Sequence, residues 1–164
     1  KVRQILKDTG LPHQRLELEI TETSIIEDHL HTLHVVQQLK QIGISLAMDD
    51  FGTGYSSLSM LQTFPFDKIK IDRSFISGVS ENPHSAAIAR ATIVLANGLQ
   101  INSLAEGVED QKDLNFLREI GCHEAQGYFF GKPMPFSGIE EMVNPRENAV
   151  TFNKKYKLAL VPGG

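Results

Sequence analysis

Asp49 and Asp50 stand side by side where the apolar run Ile44-Ser45-Leu46-Ala47-Met48 gives way to Phe51-Gly52-Thr53-Gly54-Tyr55-Ser56-Ser57-Leu58. Adjacent carboxylates repel each other unless a cation lies between them, so a buried strand that ends in such a pair is a candidate divalent-metal site. The competing reading is a strand end whose two acids simply face water, and an isolated Asp-Asp pair would favour it. Other apolar runs, however, also end in polar groups: Glu19 and Glu22, Lys70 and Asp72, Glu106 and Glu109, then Gln126. In a parallel barrel those ends converge on one face, where barrel enzymes keep their chemistry.

Mg²⁺ and Mn²⁺ take hard oxygen ligands, often one or two carboxylates with water and substrate phosphate, and Asp49 could bridge two such ions. Two ions ~3.5–4 Å apart acidify a shared water and steady the charge on a phosphate, which is the chemistry of phosphodiester hydrolysis. Lys70 lies two residues before Asp72, so on one strand both point to the same face. There the lysine could hold the attacking water or neutralise phosphate; a solvated lysine paired with an acid fits the spacing equally. Glu106 precedes Gly107, where a backbone without Cβ allows close approach by substrate, and is a candidate metal ligand or proton acceptor. Glu106 and Glu109 also suit a helix N-terminus, whose dipole favours acids, and Thr21-Glu22 suits a helix entry. None of the six histidines has zinc spacing with the single cysteine, Cys122, and Gly52 and Gly54 lack the lysine and hydroxyl placement of a P-loop.

The elements that must position these groups follow from periodicity. The segment 16–21 alternates apolar and polar residues and predicts a strand. Ser24 with Glu27 forms a capping-box pattern for one helix carrying Ile26, Leu30, Leu33, Val36 and Leu39 up to Gly43. Further strands are expected at 44–48, 68–72, 101–105 and 125–129. Helices are expected over 2–7, over 58–61, from Pro83 to about Asn97, after Asp110 to Gly121, and from a cap at Ser137 with Glu140. Strands alternating with helices at this cadence imply a parallel sheet, and polar groups at nearly every strand end favour a barrel over an open doubly wound sheet. The expected fold is α/β, a TIM-like (β/α)8 barrel, here an incomplete barrel of about five β/α units. Residues 1–143 would form this domain and residues 144–164 a tail or linker.

The 164 residues are 41% apolar and 22% charged, an ordinary globular composition for one domain. With a formal charge of −4 there is no basic field to hold duplex nucleic acid by counterion release, so a phosphate substrate would need metal ions for its countercharge. One cysteine excludes an internal disulfide and fits a reducing cytoplasm, with Cys122 as a partly buried packing residue. No apolar stretch approaches the ~20 residues that span a bilayer, and no membrane contact is expected of the domain itself.

Taken in order, these residues resemble the EAL-domain family of bacterial cyclic di-GMP phosphodiesterases. The likeness is carried by Glu19-Ile20-Thr21-Glu22, by the ten residues from Asp49 to Leu58, by Lys70-Ile71-Asp72, by Ala105-Glu106-Gly107-Val108-Glu109 and by Gln126-Gly127-Tyr128-Phe129-Phe130-Gly131-Lys132-Pro133. It implies hydrolysis of one phosphodiester bond of cyclic di-GMP to give linear pGpG, with Mg²⁺ or Mn²⁺ in a two-metal site. By that resemblance Glu19 and Asp49 are first-metal ligands, Asp50 is a ligand of the second, and Glu106 holds the second metal or its water. Lys70 corresponds to the lysine that contacts the catalytic water, and Asp72, Glu109 and Gln126 to positions that support or contact substrate. Glu22 is similar to the glutamate that anchors the loop after Asp50, a loop that in the family couples a dimer contact to the active site. A homodimer is implied, with sensor or cyclase domains in a longer cytoplasmic or membrane-anchored parent. The Glu-Ala-Leu signature and a further asparagine ligand lie, in the family, upstream of the helix that opens this chain, so the sequence reads as the C-terminal two-thirds of a domain. An inactive module that binds cyclic di-GMP or a partner protein is the alternative.

Overall fold

Alternation along the strands sorts side chains onto two faces. In β1 (Glu17–Thr21), Leu18 and Ile20 pack into the apolar core while Glu17 and Glu19 point away from it. In β3 (Lys68–Ile71), Ile69 and Ile71 are fully buried among core residues and Lys68 and Lys70 take the opposite face. Between them lies β2 (Ser45–Phe51), and β4 (Asn102–Ala105) and β5 (Glu124–Ala125) complete the sheet. The computed structural model describes residues 1–52 and 58–143, apart from the side chains of Glu27 and of 140–143. The expected tail at 144–164 and the centre of the glycine-bearing loop, 53–57, lie outside the described residues.

All four strand pairings are parallel, and the spatial order β1-β2-β3-β4-β5 is the order of the chain. A doubly wound sheet reverses its order at a switch point; this one steps in one direction only, so right-handed crossovers put its helices on one face. Those helices are α1 (Val2–Thr9), α2 (Glu22–Glu27), α3 (His29–Ile42), α4 (Leu58–Thr63), α5 (Arg73–Ile76), α6 (Pro83–Gly98), α7 (Gln111–Glu119) and α8 (Phe136–Val143). Two apolar clusters fill the layer between helices and sheet. One centres on Leu46, Met48, Phe64 and Ile69 with Val36, the other on Ile71, Ile76, Ile93 and Val108 with Leu117.

The sheet is strongly curved. In a flat sheet β1 and β5 would lie about 19 Å apart, yet Lys68 on the central strand reaches Glu17 of β1 at 3.0 Å and Glu124 of β5 at 2.9 Å. Side chains from both edges thus meet over one concave face, and the five β/α units form an arc of the TIM-like barrel that the sequence implied.

Several elements depart from the sequence reading. The single helix expected from Ser24 to Leu39 is two: α2 begins at Glu22, so Ser24 lies inside it, and Asp28 interrupts the run and caps α3 by accepting a hydrogen bond from the His31 amide at 3.1 Å. The break turns the stripe, leaving Ile26 and Leu30 exposed while Val36 is buried. Ser137 likewise lies within α8 rather than capping it. Strand β2 runs on through Asp49 and Asp50, so the acidic pair belongs to the strand. Asp72 falls outside β3 and caps α5, a short helix that periodicity did not signal, by accepting from the Ser74 amide at 3.0 Å. The expected strand 125–129 stops at Ala125, because the Val108 carbonyl accepts from the Phe129 amide and pulls the chain into a bend at Gly127.

Among the described residues no strand pairs with the outer edge of β1 or of β5. Barrels remove such edges by closing, and exposed ones template association. Residues 1–164 produced alone are therefore expected to self-associate or to melt without a cooperative transition, as read by light scattering behind a sizing column and by thermal unfolding. A stable monomer that unfolds cooperatively would contradict the open arc.

Candidate functional site

The geometry of β2 makes the acidic pair useful. Pairing with β3 runs from Met48↔Ile69 to Phe51↔Ile71, three steps on β2 against two on β3, so one extra residue is accommodated as a bulge. Asp50 takes up the irregularity with a left-handed backbone, φ 55°, a conformation that Asp tolerates better than most residues. Neighbours on a regular strand point to opposite faces. Here the bulge turns Asp50 back, and one carboxylate oxygen each from Asp49, Asp50 and Glu106 lies within 4.8 Å of the others. Glu106 enters from the residue after β4, its amide hydrogen-bonded to the Ile71 carbonyl at 3.1 Å.

Lys70 stands at the centre of this acidic group. Its ammonium lies 2.8 Å from Glu19 Oε1, 2.8 Å from Asp49 Oδ1 and 2.9 Å from Glu106 Oε1, and the side chain is 6% exposed. Burial alone would lower its pKa, but the close carboxylates of Asp49, Glu19 and Glu106 outweigh it and hold the ammonium well above the ordinary lysine range. Three donors therefore face three carboxylates. Asp49 Oδ1 is buried and receives no aligned hydrogen bond, so the ammonium meets it as an ionic contact only. The Asp50 carboxyl is raised in pKa, first by burial and then by repulsion from Asp49 and Asp72.

The other sequence candidates surround this centre. Glu19 touches Lys70 but is not among the three acids whose oxygens converge, so it stands one ammonium away from them. Gln126, just past β5, donates from Nε2 to Glu106 Oε1 at 2.8 Å. Asp72 faces Asp50 closely enough to raise its pKa, while its own is lowered chiefly by the hydrogen bonds from Ser74. Glu109 is exposed and paired with Arg73, which the sequence reading did not single out. The stem of Arg73 packs where a Cβ on Gly107 would stand, 2.2 Å from Arg73 Cγ, and Gly107 has φ 73°, so only glycine fits. A Cβ on Gly127 would sit 2.2 Å from the Val108 carbonyl oxygen. The two glycines thus let the loops after β4 and β5 close around Glu106, the contact that their place in the motifs could have foretold. A cleft of about 680 Å³ opens beside Glu106, with Arg73, Glu109, Gln126, Tyr128 and Pro133 in its wall. Glu22, the first residue of α2, is buried and follows Thr21, which is in register with Asp49. The exposed His31 and His34 take no part.

The donor set fits hard divalent cations. It offers carboxylate oxygens from two strands, one of them buried without an aligned donor, and a like-charge repulsion at Asp50 that a cation would relieve. No helix among the described residues is long and apolar enough to cross a membrane.

Comparison with known proteins agrees with this picture. The family model described as the EAL domain matches residues 1–133. The chain is 42% identical over 143 residues to the cyclic di-GMP phosphodiesterase NbdA of Pseudomonas aeruginosa, an alignment that covers 87% of this chain and 18% of that protein. The PaMucR phosphodiesterase, solved as a c-di-GMP complex, has a TM-score of 0.80 and 38% identity over 84% of this chain and 56% of that one. Klebsiella pneumoniae BlrP1, solved with manganese and the cyclic dinucleotide, has a TM-score of 0.75 and 33% identity over 80% of this chain and 34% of its own. The chain spans less than a fifth of NbdA, but it carries the family's sequence pattern and its parallel β/α architecture. It belongs to the EAL-domain family.

Proposed function

We propose that the protein containing this chain hydrolyses cyclic di-GMP to linear pGpG with Mg²⁺ or Mn²⁺, in bacterial second-messenger signalling. The observation that carries this reading is the convergence of Asp49, Asp50 and Glu106 oxygens, with the Lys70 ammonium against Asp49 and Glu106, in a member of the family to which NbdA and PaMucR belong. The manganese complex of BlrP1 supports the choice of cation. Asp49, Asp50 and Glu106 would hold the ions, with Glu19 joining them by turning from Lys70. When bound, two such ions acidify a water and stabilise charge on the phosphate oxygens.

The remaining work falls to side chains of this chain. A carboxylate that turns to a cation frees one Lys70 donor, which can then orient the attacking water or meet a phosphate oxygen. Gln126 fixes the Glu106 carboxylate by its amide hydrogen bond, and Asp72 holds the entry of α5 against the Asp50 side of the centre. Glu109, oriented by Arg73, lines the cleft beside Glu106 and suits contact with the substrate's polar edges. Glu22, buried level with the end of β2, would anchor the loop that follows Asp50. A homodimer coupled to that loop, with sensor or cyclase domains in a cytoplasmic or membrane-anchored parent, completes the reading.

Incubation of the full-length protein with cyclic di-GMP and Mn²⁺ is expected to give pGpG, and chelation should stop it. Binding of the dinucleotide without pGpG would instead favour a receptor. Asp49→Asn removes a ligand charge and little volume, so turnover should fall roughly 100-fold or more with an unchanged far-UV spectrum. Near-normal turnover in that variant would remove Asp49 from the assigned role. Glu22→Ala should quicken hydrogen exchange in residues 51–58 and lower activity indirectly; unaltered exchange there would break the proposed coupling.

A further inference from the structure

Lys68 has no part in the chemistry above, yet it makes the second ionic junction of the concave face. Its ammonium lies 3.0 Å from Glu17 Oε2 and 2.9 Å from Glu124 Oε2, and its side chain is 14% exposed. Burial pulls its pKa down, but hydrogen bonds to Glu124 and Glu17 prevail and leave it raised.

Each member of this junction stands two residues before a member of the site above it. Glu17 precedes Glu19 on β1, Lys68 precedes Lys70 on β3, and Glu124 precedes Gln126 at the end of β5. The side-chain period of a strand is two, so the lower junction lies directly beneath the upper one, about 6.6 Å along the strands. Strand β5 is short, paired to β4 only through Leu104↔Glu124 and Ala105↔Ala125. A tether on Glu124 therefore governs where Gln126, and through it Glu106, comes to rest.

We infer that Lys68 is a positioning residue: by tying β1 to β5 beneath the carboxylate cluster, it sets the curvature that brings Glu19, Asp49, Asp50 and Glu106 together, and with it the affinity for divalent cations. This rests on the metal-dependent reading of the site. Outer groups that orient metal ligands change affinity by about 10–100-fold when removed. Lys68 differs from the usual case in acting through the strands rather than on a ligand atom.

The alternative is that Lys68 only neutralises two half-buried acids. Removing one partner of such a group is costly, whereas replacing the whole group by neutral side chains is often tolerated. The experiment uses the full-length protein and measures Mn²⁺ binding by calorimetry or by the spin-resonance signal of free Mn²⁺, beside thermal unfolding. Lys68→Met should weaken Mn²⁺ binding about 10-fold. Combining it with Glu17→Gln and Glu124→Gln should restore the melting temperature but leave Mn²⁺ binding weak, because the ionic tie that joins β1, β3 and β5 beneath the site is then gone. Lys68→Arg, whose planar fork can serve both carboxylates, should recover most of the affinity. Wild-type affinity in Lys68→Met, or recovery of affinity along with stability in the triple variant, would overturn the inference. No Mn²⁺ binding by the unaltered protein would overturn the metal reading itself, and this inference with it.

Discussion

Two ammonium groups on one short strand make the concave face possible. Lys68 and Lys70 meet carboxylates on β1, β2 and β5 and on the residue that follows β4, so acids from both edges of the sheet are drawn toward its middle. Without them the same face would gather Glu17, Glu19, Asp49, Glu106 and Glu124 with nothing to offset their repulsion. Removing a partner from a buried charge such as the Lys70 ammonium is costly, and a small domain has little stability to spare. The helical side needs no such device, since Leu46, Met48 and Ile69 pack there with ordinary apolar neighbours. On β1 and β3 the polar and apolar halves are thus separated by the period of two.

The acidic cluster needs one more element, a break in that period. A regular β2 would send Asp49 and Asp50 to opposite faces; the bulge opposite Ile69 and Ile71 puts them together at the cost of a left-handed residue. Strain of this kind is held by surrounding structure, and here Phe51 is buried on one side of Asp50 and Met48 on the other. The repulsion that adds to burial in raising the Asp50 pKa is therefore built into the backbone and not left to side-chain choice. A cation is the natural occupant of such an arrangement, whereas two freely rotating acids would simply move apart.

Much of this was legible in the sequence. The segments 16–21 and 68–72 gave two strands, the regular β/α cadence gave the parallel sheet, and polar groups at nearly every strand end favoured a barrel, whose strands follow chain order without reversal. The carboxylates were found because they end apolar runs. What could not be read were features set by contacts distant in sequence. Asp28 divides a helix whose apolar spacing runs on through it, and Gly127 bends β5 because the Val108 carbonyl waits for Phe129. Lys68 was not singled out, since its partners are 51 residues before it and 56 after it in the chain. Asp72 was expected at the end of the strand that carries Lys70; it caps α5, where the Ser74 amide is its partner, and still faces Asp50.

The loops explain why glycine recurs beside the acids. Glu106 must sit close to Lys70 while the chain turns into α7, and Gly107 lets Arg73 pass where a Cβ would stand. Arg73 then reaches Glu109, so the start of α5 is held to the loop after β4 by one ion pair laid over one glycine. Gly127 repeats the device against Val108, and Gln126 beside it closes on Glu106. Glu106 is therefore fixed from three sides, by Lys70 on β3, by Gln126 after β5 and by the backbone of Ile71. A carboxylate held in this way would lose little freedom on binding a cation, and that preorganisation would separate the proposed metal centre from a patch of surface acids.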